Sequence, residues 1–190
     1  MNKFLIGVGI FLLLIIFWGV SSYNSLVSMD VKIDESWSQV EVQYQRRFDV
    51  IPNLVETVKG VADFEQSTYL AVTEARAAWA QALKSGSRAD QINATGNVES
   101  SLARLLVSVE AYPQLKANEN FQTLQAQIEG TENRVAVARR DFNITVTPFN
   151  ATIRRFPASI IANLFGFEKQ AFFESEAGSE AAPKVNFGTP

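Results

Sequence analysis

The side chains that usually carry catalysis are missing from this chain. Its 190 residues include no cysteine and no histidine. Disulfides, thiolate metal sites and cysteine nucleophiles are therefore excluded. So are Ser-His-Asp and Cys-His catalysis, haem held through histidine, and the Glu-x-x-His di-iron sites of some helical bundles. Carboxylate and guanidinium groups remain. Glu129 and Glu132 stand three apart, which places both on one helix face. With no histidine to complete a metal pair and no EF-hand-like loop, a solvated or ion-paired face is expected there. No cofactor and no metal are expected.

Other short patterns point to surface or structural roles. Asn93-Ala-Thr95, Asn143-Ile-Thr145 and Asn150-Ala-Thr152 match the glycosylation acceptor. Two of them fall inside an expected helix, so modification is not expected. Arg46-Arg47, Arg139-Arg140 and Arg154-Arg155 are three basic pairs. The last has two readings: ordinary surface charge, or contact with anionic lipid heads. A net charge of −3 argues against nucleic acid as a partner, since phosphate binding needs a basic face.

These groups must be positioned by helices, and the first is apolar. Phe4 to Val20 is a run of 17 uncharged residues that includes Phe4, Leu5, Ile6, Leu12, Leu13, Leu14, Ile15, Ile16, Phe17 and Trp18. As a helix it covers roughly 26 Å, and about 30 Å once Ser21 to Tyr23 are added. Trp18 and Tyr23 stand at its outer end, where amphipathic rings favour the headgroup region. The competing reading is a cleaved signal peptide, but the run exceeds a usual h-region and only Lys3 precedes it. Residues 1–22 are thus expected to form a single-pass membrane anchor. The near-flank basic residues, Lys3 before the run and none after it until Lys32, favour an extracytoplasmic domain.

An all-α bundle is expected over residues 23–173. Leu26, Ile33, Val40, Arg47, Leu54 and Val61 recur every seven residues, as do Asp30, Trp37, Tyr44, Ile51 and Val58. Together they make a coiled-coil-like seam on a helix over 23–61. Pro52 should kink or break it, because the Phe48 carbonyl loses its donor. A second helix over 63–84 is capped at Ala62-Asp63, carries Ala71, Ala75, Ala78 and Ala82, and ends at Ser85-Gly86-Ser87. A third over 89–111 carries Ile92, Val98, Leu102, Leu105, Leu106 and Val109. Asn118 should cap a fourth over 118–156, with Phe121, Ile128, Val135, Phe142, Phe149 and Phe156 at seven-residue spacing. Pro157 stops it. The tail over 174–190 is rich in Ala, Gly, Ser and Glu and should be mobile.

Two helices of about 38 residues thus alternate with two of about 22, roughly 57 and 33 Å long. Short loops make neighbours antiparallel. The half nearest the membrane then has only two helices, too few to cover Trp37, Phe142, Phe149 and Phe156. Residues 158–173, other copies of the chain, or both must cover them. Ile160, Ile161, Leu164, Phe165, Phe167, Phe172 and Phe173 are therefore candidates for membrane or oligomer contact, as a short amphipathic segment, or for a plug that folds back on the core. If Tyr23 and Phe156 are level, facing residues of the long helices have numbers summing to about 179. Arg47, at a seam position that should be apolar, then meets Glu132, with Arg139 nearby. An ion pair is expected, its alternative being an Arg47 that snorkels to water.

The ordered motifs resemble the LemA family. Tyr23-Asn24-Ser25-Leu26-Val27 is similar to its opening motif. Trp37, then Arg46-Arg47-Phe48-Asp49-Val50-Ile51-Pro52-Asn53-Leu54-Val55, resembles its signature. Glu65, Ala75-Arg76, Tyr112-Pro113-Gln114-Leu115-Lys116-Ala117-Asn118, Glu132, Ala138-Arg139-Arg140, Phe142-Asn143, Phe149-Asn150, Phe156-Pro157 and the closing Pro183 to Phe187 continue it. The resemblance implies a bacterial, membrane-anchored helical bundle with no enzymatic activity established for the family. One family member is associated with building magnetosome membranes, which implies a membrane-organising role. The family often has histidine before the helix-two glutamate, where this chain has Phe64. That weakens the spot as a chemical site and makes Glu65 a structural partner for a buried polar group. The expected function is a non-enzymatic inner-membrane scaffold that self-associates. The alternative is a module recruiting a partner protein through a bundle tip near residues 85–91 and 112–118.

Overall fold

The computed structural model describes residues 2–61 and 64–174. These form six helices and no strand: α1 Asn2–Lys59, α2 Gln66–Ser85, α3 Arg88–Val109, α4 Pro113–Lys116, α5 Glu119–Thr152 and α6 Ala158–Phe165. The expected cap at Ala62-Asp63, the closing Pro183 to Phe187 and the tail beyond Glu174 lie outside the described residues.

α1 is one unbroken helix from the apolar run to Lys59, and it passes through Pro52. A break there does not occur. The carbonyl that Pro52 deprives of a donor, Phe48 O, accepts from Arg76 Nε of α2 at 3.3 Å. Leu26, Ile33, Val40, Leu54, Trp37, Tyr44, Ile51 and Val58 are all buried, so the heptad seam faces inward. α1 is the only described helix long and apolar enough to cross a membrane.

α2 and α3 form a hairpin. Gly86 closes α2 at φ +72°, a left-handed turn that glycine takes without Cβ strain. Ser87 Oγ then accepts from Asp90 N at 3.3 Å to open α3. The alanine face expected on α2 is displaced: Val72 and Trp79 are the buried residues, while Ala78 is exposed. The reason is Trp79, whose ring meets Phe48 at 4.2 Å and turns the helix toward α1. At the far end α4 is a single turn whose Leu115 is fully buried. Phe64 packs on Tyr112 there at 4.9 Å between ring centres.

Asn118 Oδ1 accepts from Phe121 N at 3.1 Å and opens α5, which runs antiparallel to α1. Phe121, Ile128, Val135, Phe142 and Phe149 are buried at their seven-residue spacing. Phe156 does not continue the stripe and is 82% exposed. α5 stops at Thr152, because Pro157 has no N–H for the Ile153 carbonyl and holds Phe156 out of helical geometry. Contacts between the long helices keep the expected register: Arg47 meets Glu132 and Trp37 meets Phe142 at 5.1 Å, each pair summing to 179.

Candidate functional site

Midway along the bundle, three helices bring charges inside. Arg47 on α1 is 4% exposed. Its Nη2 lies 2.6 Å from Glu132 Oε2 on α5, and its Nη1 lies 3.5 Å from Glu99 Oε1 on α3. Arg139 on α5 also donates to Glu99, and its Nε donates to the Tyr44 hydroxyl oxygen at 2.7 Å. Tyr44 Oη in turn donates to Glu99 Oε1 at 3.1 Å. Arg139 also lies 5.4 Å from the Tyr44 ring centre. The structure thus joins Arg47 to Glu132 and adds Glu99, which sequence reasoning missed. A signal existed: Gln91, Thr95 and Glu99 form a polar row at four-residue spacing beside the apolar stripe of α3.

The electrostatics are those of a lock. Burial, and then the neighbouring Glu99 carboxylate, raise the Tyr44 phenol well above its ordinary value and keep it protonated. Burial works against charge on Arg139, but the bonds to Glu99 and Tyr44 outweigh it and raise its pKa. A cleft of about 710 Å³ opens beside the cluster between α3 and α5, with Leu102, Leu106 and Ile128 in its wall. Arg47 Nε is buried beneath it without a partner. The four charges balance, two against two. Glu129 accepts from Gln125 Nε2 at 3.0 Å while Glu132 turns to Arg47, so the two carboxylates serve different partners. No group of three acidic, histidine or cysteine side chains converges among the described residues.

Glu65 is placed differently from its expectation. It is exposed and accepts from Ser67 Oγ at 2.7 Å and Thr68 Oγ1 at 3.4 Å at the start of α2, with no buried partner. The reason is that Phe64 fills the interior position beside it.

The near end of the bundle is completed by residues 166–174, which run as an extended strap along α5. Asn143 and Asn150 grip it. Asn150 Nδ2 donates to Gln170 O at 2.9 Å and its Oδ1 accepts from Gln170 N at 2.9 Å. Asn143 does the same with Phe173, at 2.8 and 3.0 Å. Seven helical residues and three extended residues both span about 10 Å, so the two clamps match in spacing. Both amides of the Asn-x-Thr triplets on α5 are thereby consumed. Phe173 stacks on Trp37 at 5.8 Å and Phe167 meets Phe149 at 6.3 Å. Arg88 of α3 bonds Gln170 Oε1 at 2.6 Å and pairs with Asp34. That places the turn over 85–88 beside Asp34 of α1, at the near half, while residues 112–118 cap the far end. The two loops expected to share one tip lie at opposite ends, because the α2–α3 hairpin points its turn back toward the apolar run.

The seven candidate contact residues divide accordingly. Phe167, Phe172 and Phe173 are half-buried against the core, drawn in by the asparagine clamps. Ile161 is half-buried, facing Gly19. Ile160, Leu164 and Phe165 are 54%, 72% and 56% exposed. Phe4, Leu5, Ile6 and Leu12 to Trp18 are exposed along α1.

The LemA family model matches residues 36–187. Magnetosome protein MamQ 2 of Paramagnetospirillum magneticum is 24% identical over 181 residues, covering 83% of this chain and 66% of that protein. Magnetosome protein MamQ of Magnetospirillum gryphiswaldense is 26% identical over 180 residues, covering 82% and 66%. Protein LemA of Metamycoplasma hominis is 23% identical over 172 residues, covering 90% and 76%. The chain therefore spans just under two thirds of the length of the magnetosome relatives.

Proposed function

The chain belongs to the LemA family, and from that premise we propose that it is a single-pass membrane protein that self-associates and organises or shapes the membrane, without catalysing a reaction. One observation carries the reading: the exposed apolar run of Phe4 to Val20 continues without a break into the seam of the bundle. An anchor built this way holds a rigid body at a fixed height, as a scaffold requires. The cluster around Arg47 supports a structural role, since each of its bonds ties one helix to another. The names of the magnetosome relatives support a place among proteins that assemble at bacterial membranes. The domain lies on the extracytoplasmic side of the cell membrane, and its partners are lipid and further copies of itself.

The test is light scattering of the full chain in mild detergent, with vesicle morphology after reconstitution. Oligomers and altered vesicle shape are expected. A strict monomer at every concentration, on vesicles that keep their shape, would sink the proposal. A second reading, recruitment of a partner protein at the far half, is favoured by Val107. It is 72% exposed in a groove between α2 and α3 that also holds Arg104 and Thr68. Co-purification of a partner abolished by Val107→Glu, with oligomerisation intact, would favour it.

A further inference from the structure

α6 leaves an apolar face open, and its height is set by α1. Ile161 faces Gly19, where an added Cβ would stand 3.8 Å from Ile161 Cδ1. The Phe165 ring lies 4.6 Å from the Tyr23 ring. Gly19 and Tyr23 are about 6 Å apart along α1 and bracket the end of the apolar run. α6 therefore packs at the level where that run ends. On this level Phe156, Ile160, Leu164 and Phe165 are all exposed. Ile160 and Leu164 are four apart and share a face, while Ala162 is buried on the opposite one. Just above stand Arg154 and Arg155, both exposed, and neither pairs with a carboxylate among the described residues.

We propose that the turn over 153–157 and α6 form a second membrane contact, an interfacial foot that binds anionic lipid. Phe156, Ile160, Leu164 and Phe165 enter the boundary between headgroups and acyl chains, and Arg154 and Arg155 engage headgroup phosphates. The inference rests on the proposal that α1 spans the membrane. Two features select lipid over a second copy of the chain. The face is at the depth that the apolar run itself assigns to the bilayer boundary. It also sets an apolar patch beside two exposed arginines that pair with no carboxylate among the described residues, the complement of an anionic leaflet.

The chain has no native cysteine, so single spin labels can be placed cleanly. Labels at Leu164→Cys, at Val107→Cys as a water reference, and at Leu13→Cys in the span are compared in full-length protein. The vesicles are phosphatidylcholine alone or phosphatidylcholine with phosphatidylglycerol. Collision with a water-soluble nickel chelate should be several-fold lower at Leu164→Cys than at Val107→Cys, and lower still with phosphatidylglycerol. Arg154→Gln with Arg155→Gln should abolish that further decrease. Equal collision rates at the two sites, with the Leu13→Cys label shielded, would overturn the foot while leaving the span. An unshielded Leu13→Cys label would instead overturn the single-pass proposal. Strong spin–spin coupling between Leu164→Cys labels, independent of lipid, would overturn the foot by assigning the face to a second copy.

Discussion

Arg47 occupies a seam position where leucine or isoleucine would pack, and its two Nη atoms pair with carboxylates from two other helices. Removing one member of a buried pair strands the other, which costs about 3–5 kcal/mol when both are enclosed. Glu132 is half exposed, so a smaller loss is expected here. Arg47→Ala should destabilise by about 2–3 kcal/mol, whereas Arg47→Leu with Glu132→Gln should cost less than about 1 kcal/mol. Urea unfolding in detergent measures both, and no coupling between Arg47 and Glu132 in a double-mutant cycle would refute the pairing. Tyr44 gives a pH signature. Its folded pKa lies above the ordinary 10.0 of an unfolded tyrosine. The stability that depends on the neutral phenol is thus complete below pH 10 and lost as the pH climbs past it. Thermal melts from neutral to strongly alkaline pH should fall more steeply for the native chain than for Tyr44→Phe. The Arg47–Glu132 pair was legible because two heptad stripes fix a register. Glu99 was not, because nothing in sequence fixes how α3 is rotated against that pair. The clamping role of Asn143 and Asn150 was not legible either, because an Asn-x-Thr triplet carries no information about what the amide holds.

Helix continuity in α1 depends on another helix. Pro52 removes a donor, and Arg76 supplies one to the same carbonyl. Both residues stand in stretches that resemble LemA motifs, and in this chain the bond to the Phe48 carbonyl links them. A bond from a charged donor contributes about 1.5–3 kcal/mol. Arg76→Met should therefore cost about 1–2 kcal/mol, and much less with Pro52→Ala, whose restored N–H takes over the Phe48 carbonyl. Additive costs across that double-mutant cycle would remove the idea. The strap depends on the clamps in the same way. Asn143→Ala and Asn150→Ala each delete two bonds and should cost about 1–3 kcal/mol. Hydrogen exchange should speed at Phe173 for the first and at Gln170 for the second, while α2 keeps its protection. Exchange unchanged at both amides would show that apolar packing alone holds the strap. Helix positions were readable from periodicity and caps, as at Asn118 and Gly86. The end of α5 was not, since Phe156 keeps the seven-residue spacing while Pro157 ends the helix before it.

At the scale of the whole molecule, the near half needed a cover, and the chain supplies much of it from its own residues 166–174. This weakens the argument that uncovered aromatic residues demand other copies. Trp37, Phe142 and Phe149 are enclosed within one chain, so the proposed self-association would use other surface. Val137 and Ile144 on α5, seven apart, are exposed apolar residues of the long pair that share one helix face. Val137→Glu with Ile144→Glu should shift the full chain toward monomer in light scattering without lowering its helicity, and unchanged oligomers would exclude that face. The unbroken α1 has a geometric consequence for any such assembly. A helix that enters the membrane and continues into the bundle fixes the bundle's azimuth as well as its height, each residue adding about 100° and 1.5 Å. All copies inserted the same way stand upright with one polarity, so no two-fold axis can lie in the membrane plane. Assemblies in one bilayer can close only about an axis along the membrane normal, as rings, or remain open as sheets and rows. In an open row, a small constant tilt between neighbours would become a curvature of the membrane that carries them.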